Sequence, residues 1–201
     1  MAAFLSAQNP GVAGARASGT AGLSFGDGGV TPSFGAALGY YWPAHHVGVE
    51  FELAYSRHLE FTIDLCPPPL VCVLGGQFPV KGRTLSLIPH LVVEAGPWER
   101  VRPYVAGGIG MAHLRQRYTV GSRDARQMET LVMPVEFTRS KRAMALSAGA
   151  GVDVSVSRRL ALGVDVRSRH LFDEDPRLER FIVPSGTLST IRVGLHTSWM
   201  F

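Results

Sequence analysis

Seven charged residues define the chemistry this sequence could perform. Glu50 and Glu52 are one residue apart, as are Asp165, Arg167 and Arg169 in turn, while Asp153 and Arg192 sit in similar alternating stretches. A spacing of two puts such side chains on one face of an extended strand. Acids and guanidiniums sharing a face can join in charge-assisted hydrogen bonds, which is the chemistry of a packed polar network or of a pore lining. Other reactive residue types are present without the partners that catalysis needs. His196-Thr197-Ser198 puts a base and a hydroxyl on one strand face, where polar filling accounts for both. His45-His46 has no third ligand at a spacing that would hold zinc. Gly107-Gly108-Ile109-Gly110 has the glycines of a nucleotide loop but no helix after it, and small residues in a strand explain it. Cys66 and Cys72 flank Pro-Pro-Pro-Leu-Val and suit a local disulfide in an oxidising compartment. The expectation is therefore no catalytic, cofactor-binding or metal-ligating residues.

The elements that must position those charges are strands. In the last stretch Ile191, Val193, Leu195, Thr197, Trp199 and Phe201 fall on one face, and Thr190, Arg192, Gly194, His196, Ser198 and Met200 on the other. From Val47 to Ser56 every second residue is apolar, with Val49, Phe51, Leu53 and Tyr55 opposite Gly48, Glu50, Glu52 and Ala54. The same period recurs at Ser18–Phe25, Ser33–Trp42, Thr84–Glu94, Arg102–Leu114, Ala143–Val154 and Leu160–His170, giving eight strands and an all-β chain. Pro89 interrupts one of them, costs a ladder hydrogen bond and marks an expected bulge or boundary irregularity. Residues 1–17 read as a disordered lead-in or signal-peptide remnant, and 18–201 as one barrel domain.

Hydrophobic residues make up 46% of the 201, yet no apolar run approaches the roughly 20 residues of a membrane helix. The net charge is +4, but no basic helix or aromatic RNA-binding strand accompanies it, so nucleic acid is not an expected partner. Of the twenty basic residues only Lys81 and Lys141 are lysine. Arginine is the better partner for enclosed carboxylates, whereas exposed strands of soluble proteins are usually dressed with lysine.

Connections after Trp42, Glu94 and Val154 are short, and those beginning near Leu59, Arg115 and Phe172 are long. That alternation suits an up-and-down barrel with one plain rim and one elaborated rim. The polar faces combine Gly and Ala with Glu50, Glu52, Glu94, Asp153, Asp165, Arg167, Arg169 and Arg192, while the apolar faces of the third, sixth, seventh and eighth strands hold no acid, lysine or arginine. A lipocalin-like barrel would turn the apolar faces inward; a membrane barrel turns them outward, where an arginine would cost about 2–4 kcal/mol at mid-bilayer. Tyr40, Tyr41, Trp42, Trp98, Tyr104, Trp199 and Phe201 fall near the short-turn end, as an interfacial girdle would. The reading is an eight-stranded antiparallel up-and-down transmembrane β-barrel. Eight strands leave room for side chains and not for an open channel.

Gly39-Tyr40-Tyr41-Trp42-Pro43 running into Gly48-Val49-Glu50-Phe51-Glu52, Arg102-Pro103-Tyr104-Val105-Ala106-Gly107-Gly108-Ile109-Gly110 and the closing Trp199-Met200-Phe201 resemble the small outer-membrane β-barrel family that includes OmpA-like and OmpX-like domains. The resemblance implies a Gram-negative outer membrane location with both termini periplasmic. It also implies contact with outer-membrane lipid and lipopolysaccharide, and an insertion signal at Trp199 and Phe201 read by the barrel insertion machinery. No peptidoglycan-binding domain is expected, and the resemblance does not specify an oligomeric state. His196 and Ser198 have the His-x-Ser form of lipid A deacylases, but they face the interior near the periplasmic end, away from that chemistry. The expected function is a non-enzymatic, plugged barrel with a structural or surface-interaction role. The alternatives are a small-solute porin or transporter and an envelope lipid-modifying enzyme. The basic stretch Arg115–Arg142 is a candidate contact for lipopolysaccharide phosphates or for a partner surface.

Overall fold

The period-two pattern forms strands wherever it runs. A computed structural model describes residues 14–26, 29–64, 77–95, 100–120, 135–157, 159–172 and 188–201. They build β1 (Gly14–Gly26), β2 (Gly29–Trp42), β3 (Val47–Asp64), β4 (Gln77–Glu94), β5 (Val101–Val120), β6 (Val135–Ser155), β7 (Leu160–Phe172) and β8 (Leu188–Met200). Each strand pairs with its chain neighbours, and β1 pairs antiparallel with β8 to close the barrel. Where all eight strands run side by side, closure leaves the sheet without free edges, which is what a hydrocarbon surrounding demands.

One rim is tight. Pro43–His45 forms a single 3-10 turn, and His46 takes the left-handed φ of 55° while its carbonyl accepts a 2.8 Å hydrogen bond from the Glu94 amide. His45 and His46 are exposed there. The Ser155 amide donates to the Arg100 carbonyl at 2.8 Å, and that of Phe201 to Ala15 at 3.0 Å, so the described chain starts and finishes at this rim.

The other rim is lopsided. β1, β2, β7 and β8 have 13, 14, 13 and 13 residues, whereas β3 to β6 have 18, 18, 20 and 21. β2 leaves β3 at Ser33–Ser56, and β7 leaves β6 at Phe172–Met144, so what lies beyond on β3 to β6 pairs only within those four strands. They rise from one side of the barrel as a four-stranded tongue. The segments read above as loops from Leu59 to Arg83 and Arg115 to Arg142 are thus partly strand. β1 likewise begins at Gly14, ahead of Ser18. No bulge occurs at Pro89: Leu87 pairs with Met111 and His90 with Gly108 in one register, and only the pairings of Ile88 and Pro89 with β5 are missing. The register shift in β3–β4 lies instead between His58 and Phe61.

The greasy faces point out. Phe51, Val164 and Leu195 are 56%, 53% and 71% exposed, while Glu50 and Asp165 are 5% and 0%. Tyr40, Trp42, Trp199 and Phe201 are exposed near the tight rim, as a girdle requires. Tyr41 and Tyr104 are not part of it: their strand parity turns them inward, and both are buried. Trp98 lies outside the described residues, as do Cys66 and Cys72, on which the expected disulfide falls.

Candidate functional site

Interior glycines make room for long charged side chains. A Cβ on Gly35 would stand 2.9 Å from both Arg192 Nη1 and Glu52 Oε1, and one on Gly151 would stand 2.5 Å from the Tyr104 hydroxyl. Into that space five strands deliver one cluster. Glu52 of β3 accepts from Arg167 of β7 at 3.0 Å and lies 2.6 Å from Arg192 of β8. Asp165 accepts from Arg167 Nε at 2.8 Å, from Arg192 at 3.2 Å and from the Tyr104 hydroxyl of β5 at 2.9 Å. His90 of β4 sits 3.8 Å from Glu52. Arg167 and Arg192 stand opposite each other on the adjacent strands β7 and β8, and Glu52 from β3 and Asp165 from β7 each bridge the two guanidiniums.

A second cluster lies nearer the tight rim. Arg16 of β1 reaches Asp153 of β6 at 2.5 Å, Glu94 of β4 at 3.3 Å and Glu50 of β3 at 3.6 Å. His196 Nδ1 is 2.8 Å from the other oxygen of Asp153. One guanidinium therefore ties three acids from three strands. Sequence reasoning missed Arg16 because it lies among small residues ahead of any apolar alternation. It also missed Tyr104, whose hydroxyl is spent on Asp165.

Of the seven residues singled out by spacing, Glu52, Asp165, Arg167 and Arg192 meet in the first cluster and Glu50 and Asp153 in the second. Arg169 is buried with them, but among the described residues it forms no ion pair, and its Nε has no hydrogen-bond partner. Charges balance inside. The acids Glu50, Glu52, Glu94, Asp153 and Asp165 face the same number of arginines, Arg16, Arg102, Arg167, Arg169 and Arg192, of which only Arg102 is half-buried and not buried. Among these ten groups the formal charges cancel, with Arg169 outside the ion pairs.

Toward the tongue the interior is lined by other residue types. Ser24, Thr31, Ser33, Ser56, Thr84 and Ser86 form a buried hydroxyl wall on β1 to β4. Ile88, Ala112, Leu114, Ala143, Ala145 and Leu171 pack as an apolar cluster on β4 to β7. His196 and Ser198, 3% exposed each, lie inside the wall, and the Nδ1 of His196 is engaged by Asp153. Both therefore belong to the inner face of β8 and not to its lipid-facing wall. Gly107 to Gly110 continue β5 as ordinary strand.

Comparison with known proteins agrees with this geometry. The family profile described as Outer membrane protein beta-barrel domain matches residues 1–201. Among solved structures, a major outer membrane protein from Thermus thermophilus superposes with a TM-score of 0.63 at 15% identity, covering 94% of this chain and 100% of that one. Neisserial surface protein A gives 0.57 at 11% identity, covering 94% and 97%. Ail, the attachment invasion locus protein of Yersinia pestis, solved with the heparin analogue sucrose octasulfate, gives 0.50 at 13% identity, covering 94% and 97%. At such identities the likeness is one of fold. No curated protein sequence matches the chain.

Proposed function

The chain belongs to the outer membrane protein β-barrel domain family and is a bacterial outer-membrane protein; from that premise we propose that it is a non-enzymatic, closed barrel that anchors a surface-displayed tongue. The tight rim and both termini face the periplasm, and β3 to β6 project outward, where they meet lipopolysaccharide and other surface partners. Trp199 and Phe201, exposed on the outer wall at the tight rim, serve in insertion.

The observation that carries this reading is the paired interior. Arg16, Arg167 and Arg192 are each 4–5% exposed and each within ion-pair distance of at least two carboxylates from other elements or other positions of the barrel wall. Ion pairs of this kind fix strands against one another; a conducting pore would need them open. Purified protein in planar bilayers should show no steady openings. Reproducible large steps from the unmodified chain would replace this reading with that of a small-solute porin.

A further inference from the structure

Four adjacent strands leave the apolar belt in the same way. On the outward face β3 runs Phe51, Leu53, Tyr55 and then Arg57, and β4 runs Leu91, Leu87, Leu85 and then Arg83. β5 passes from Ile109 and Met111 through His113 to Arg115, and β6 from Leu146 and Met144 to Arg142. Pairing brings three of these arginines into one row: Arg57 opposite Arg83, and Arg83 opposite Arg115. Arg142 stands opposite His113, one step along. All four are exposed.

Such a row is unfavourable by itself. Residues directly opposite have Cα atoms about 4.5–5.5 Å apart, and like charges so placed repel. Every acid whose side chain the structure describes (Glu50, Glu52, Glu94, Asp153 and Asp165) is inside the barrel. The corresponding ends of β7, β8, β1 and β2 carry Phe172, Ser189, Phe25 and Val30, so the arginines do not form a ring round the whole rim. Among the described residues the outward-facing arginines at this height lie on the tongue side.

Height identifies the partner. Arg83 is ten residues from Val93 on β4, about 33 Å along the strand and about 25 Å along the axis at about 40° tilt, which is the height of the apolar band. The guanidiniums therefore stand where hydrocarbon gives way to headgroups, above the exposed side chains of Leu53, Leu85 and Leu87 that acyl chains would lie against. Resting on the outward orientation proposed above, we infer that Arg57, Arg83 and Arg115, with Arg142 beside them, bind the phosphates of a phosphorylated glycolipid of the outer leaflet. The guanidinium fork matches phosphate oxygens bidentately, and one lipid bridging two or three arginines removes their mutual repulsion.

The test uses the folded full chain in nanodiscs, titrated with diphosphoryl lipid A and with the same lipid enzymatically stripped of phosphate. The unmodified protein should prefer the phosphorylated lipid by about tenfold or more. R57Q/R83Q/R115Q should lose that preference, and R100Q/R159Q, which removes two exposed arginines at the tight rim, should keep it. Heat-modifiable gel migration confirms that each variant is folded, and the comparison of the two lipids on the unmodified chain needs no variant. Equal binding of both lipids, a preference retained by the triple variant, or displacement by millimolar inorganic phosphate alone would overturn the inference. A cysteine placed by S140C in a C66S/C72S chain, beside the row, should be labelled on intact cells by an impermeant maleimide. Protection there with lipid preference intact would overturn the orientation alone; labelling with the preference absent would overturn the lipid site alone.

Discussion

The same side chain has two fates in this barrel. Arg16, Arg167 and Arg192 lie inside, each held by carboxylates at 2.5–3.6 Å, whereas Arg57, Arg83 and Arg115 lie outside in a row that no described acid faces. The difference teaches where an arginine is structural and where it is available. Inside, a buried guanidinium that loses its carboxylate leaves an uncompensated charge, and among the buried arginines described there only Arg169 stands outside the ion pairs. Outside, a guanidinium at the headgroup plane is free to take its partner from the membrane.

The sharpest break between the two is energetic. Asp165 is fully buried and accepts from Arg167, Arg192 and Tyr104. Asp165→Ala leaves two buried guanidiniums short of a partner, and should cost on the order of 3–5 kcal/mol. Arg57→Gln should change stability by less than about 0.5 kcal/mol. Urea unfolding in lipid vesicles, followed by tryptophan fluorescence, measures both. Similar losses from the two substitutions would mean that inside and outside arginines are not the distinct populations described here.

A third location sharpens the contrast. Val166, midway along β7 on the outer wall, is 46% exposed and pairs with Val193. Val166→Arg puts a guanidinium into hydrocarbon with neither a carboxylate nor a phosphate in reach, and should cost about 2–4 kcal/mol in vesicles. The loss should shrink in short-chain detergent, where the head can reach water. An arginine is thus tolerated inside by pairing and at the rim by headgroups, and in the belt by neither.

How much of this was legible in the sequence follows from which surroundings impose a pattern. Lipid on one face and a packed interior on the other force strict alternation, so Glu50 and Phe51, or Asp165 and Val166, could be sorted to their faces from spacing alone. Beyond the belt no hydrocarbon demands apolar residues, so the tongue halves of β3 to β6 carry no period-two signal and read as loops. Arg16 was invisible for a related reason. Its neighbours Gly14, Ala15 and Ala17 give no face, and its partner Asp153 is 137 residues away, a contact that only closure of β1 on β8 creates. Tyr104 shows the limit of inference from position along the axis: closeness to the tight rim suggested a girdle, but parity with Ala106 put its ring inside. Pro89 faces outward, and its missing amide leaves a gap in the ladder to β5 without shifting the register.

The smallest expected effect tests the outside row most directly, because its sign should change with the surroundings. Arg83 is the middle member, opposite Arg57 on one side and Arg115 on the other. With no phosphorylated lipid present, Arg83→Gln removes two like-charge cross-strand pairs, each unfavourable by roughly 0.2–1 kcal/mol. In neutral detergent at low salt the variant should therefore be slightly more stable than the unmodified chain, and added salt should erase the gain by screening. When diphosphoryl lipid A is added the order should invert, since the unmodified chain gains a bound anion that the variant holds less well and binding to the folded state adds to its stability. A gain in detergent that persists unchanged with the lipid would mean that repulsion is real but phosphate does not relieve it. No gain in either medium would mean that the three guanidiniums splay apart and never act as one site.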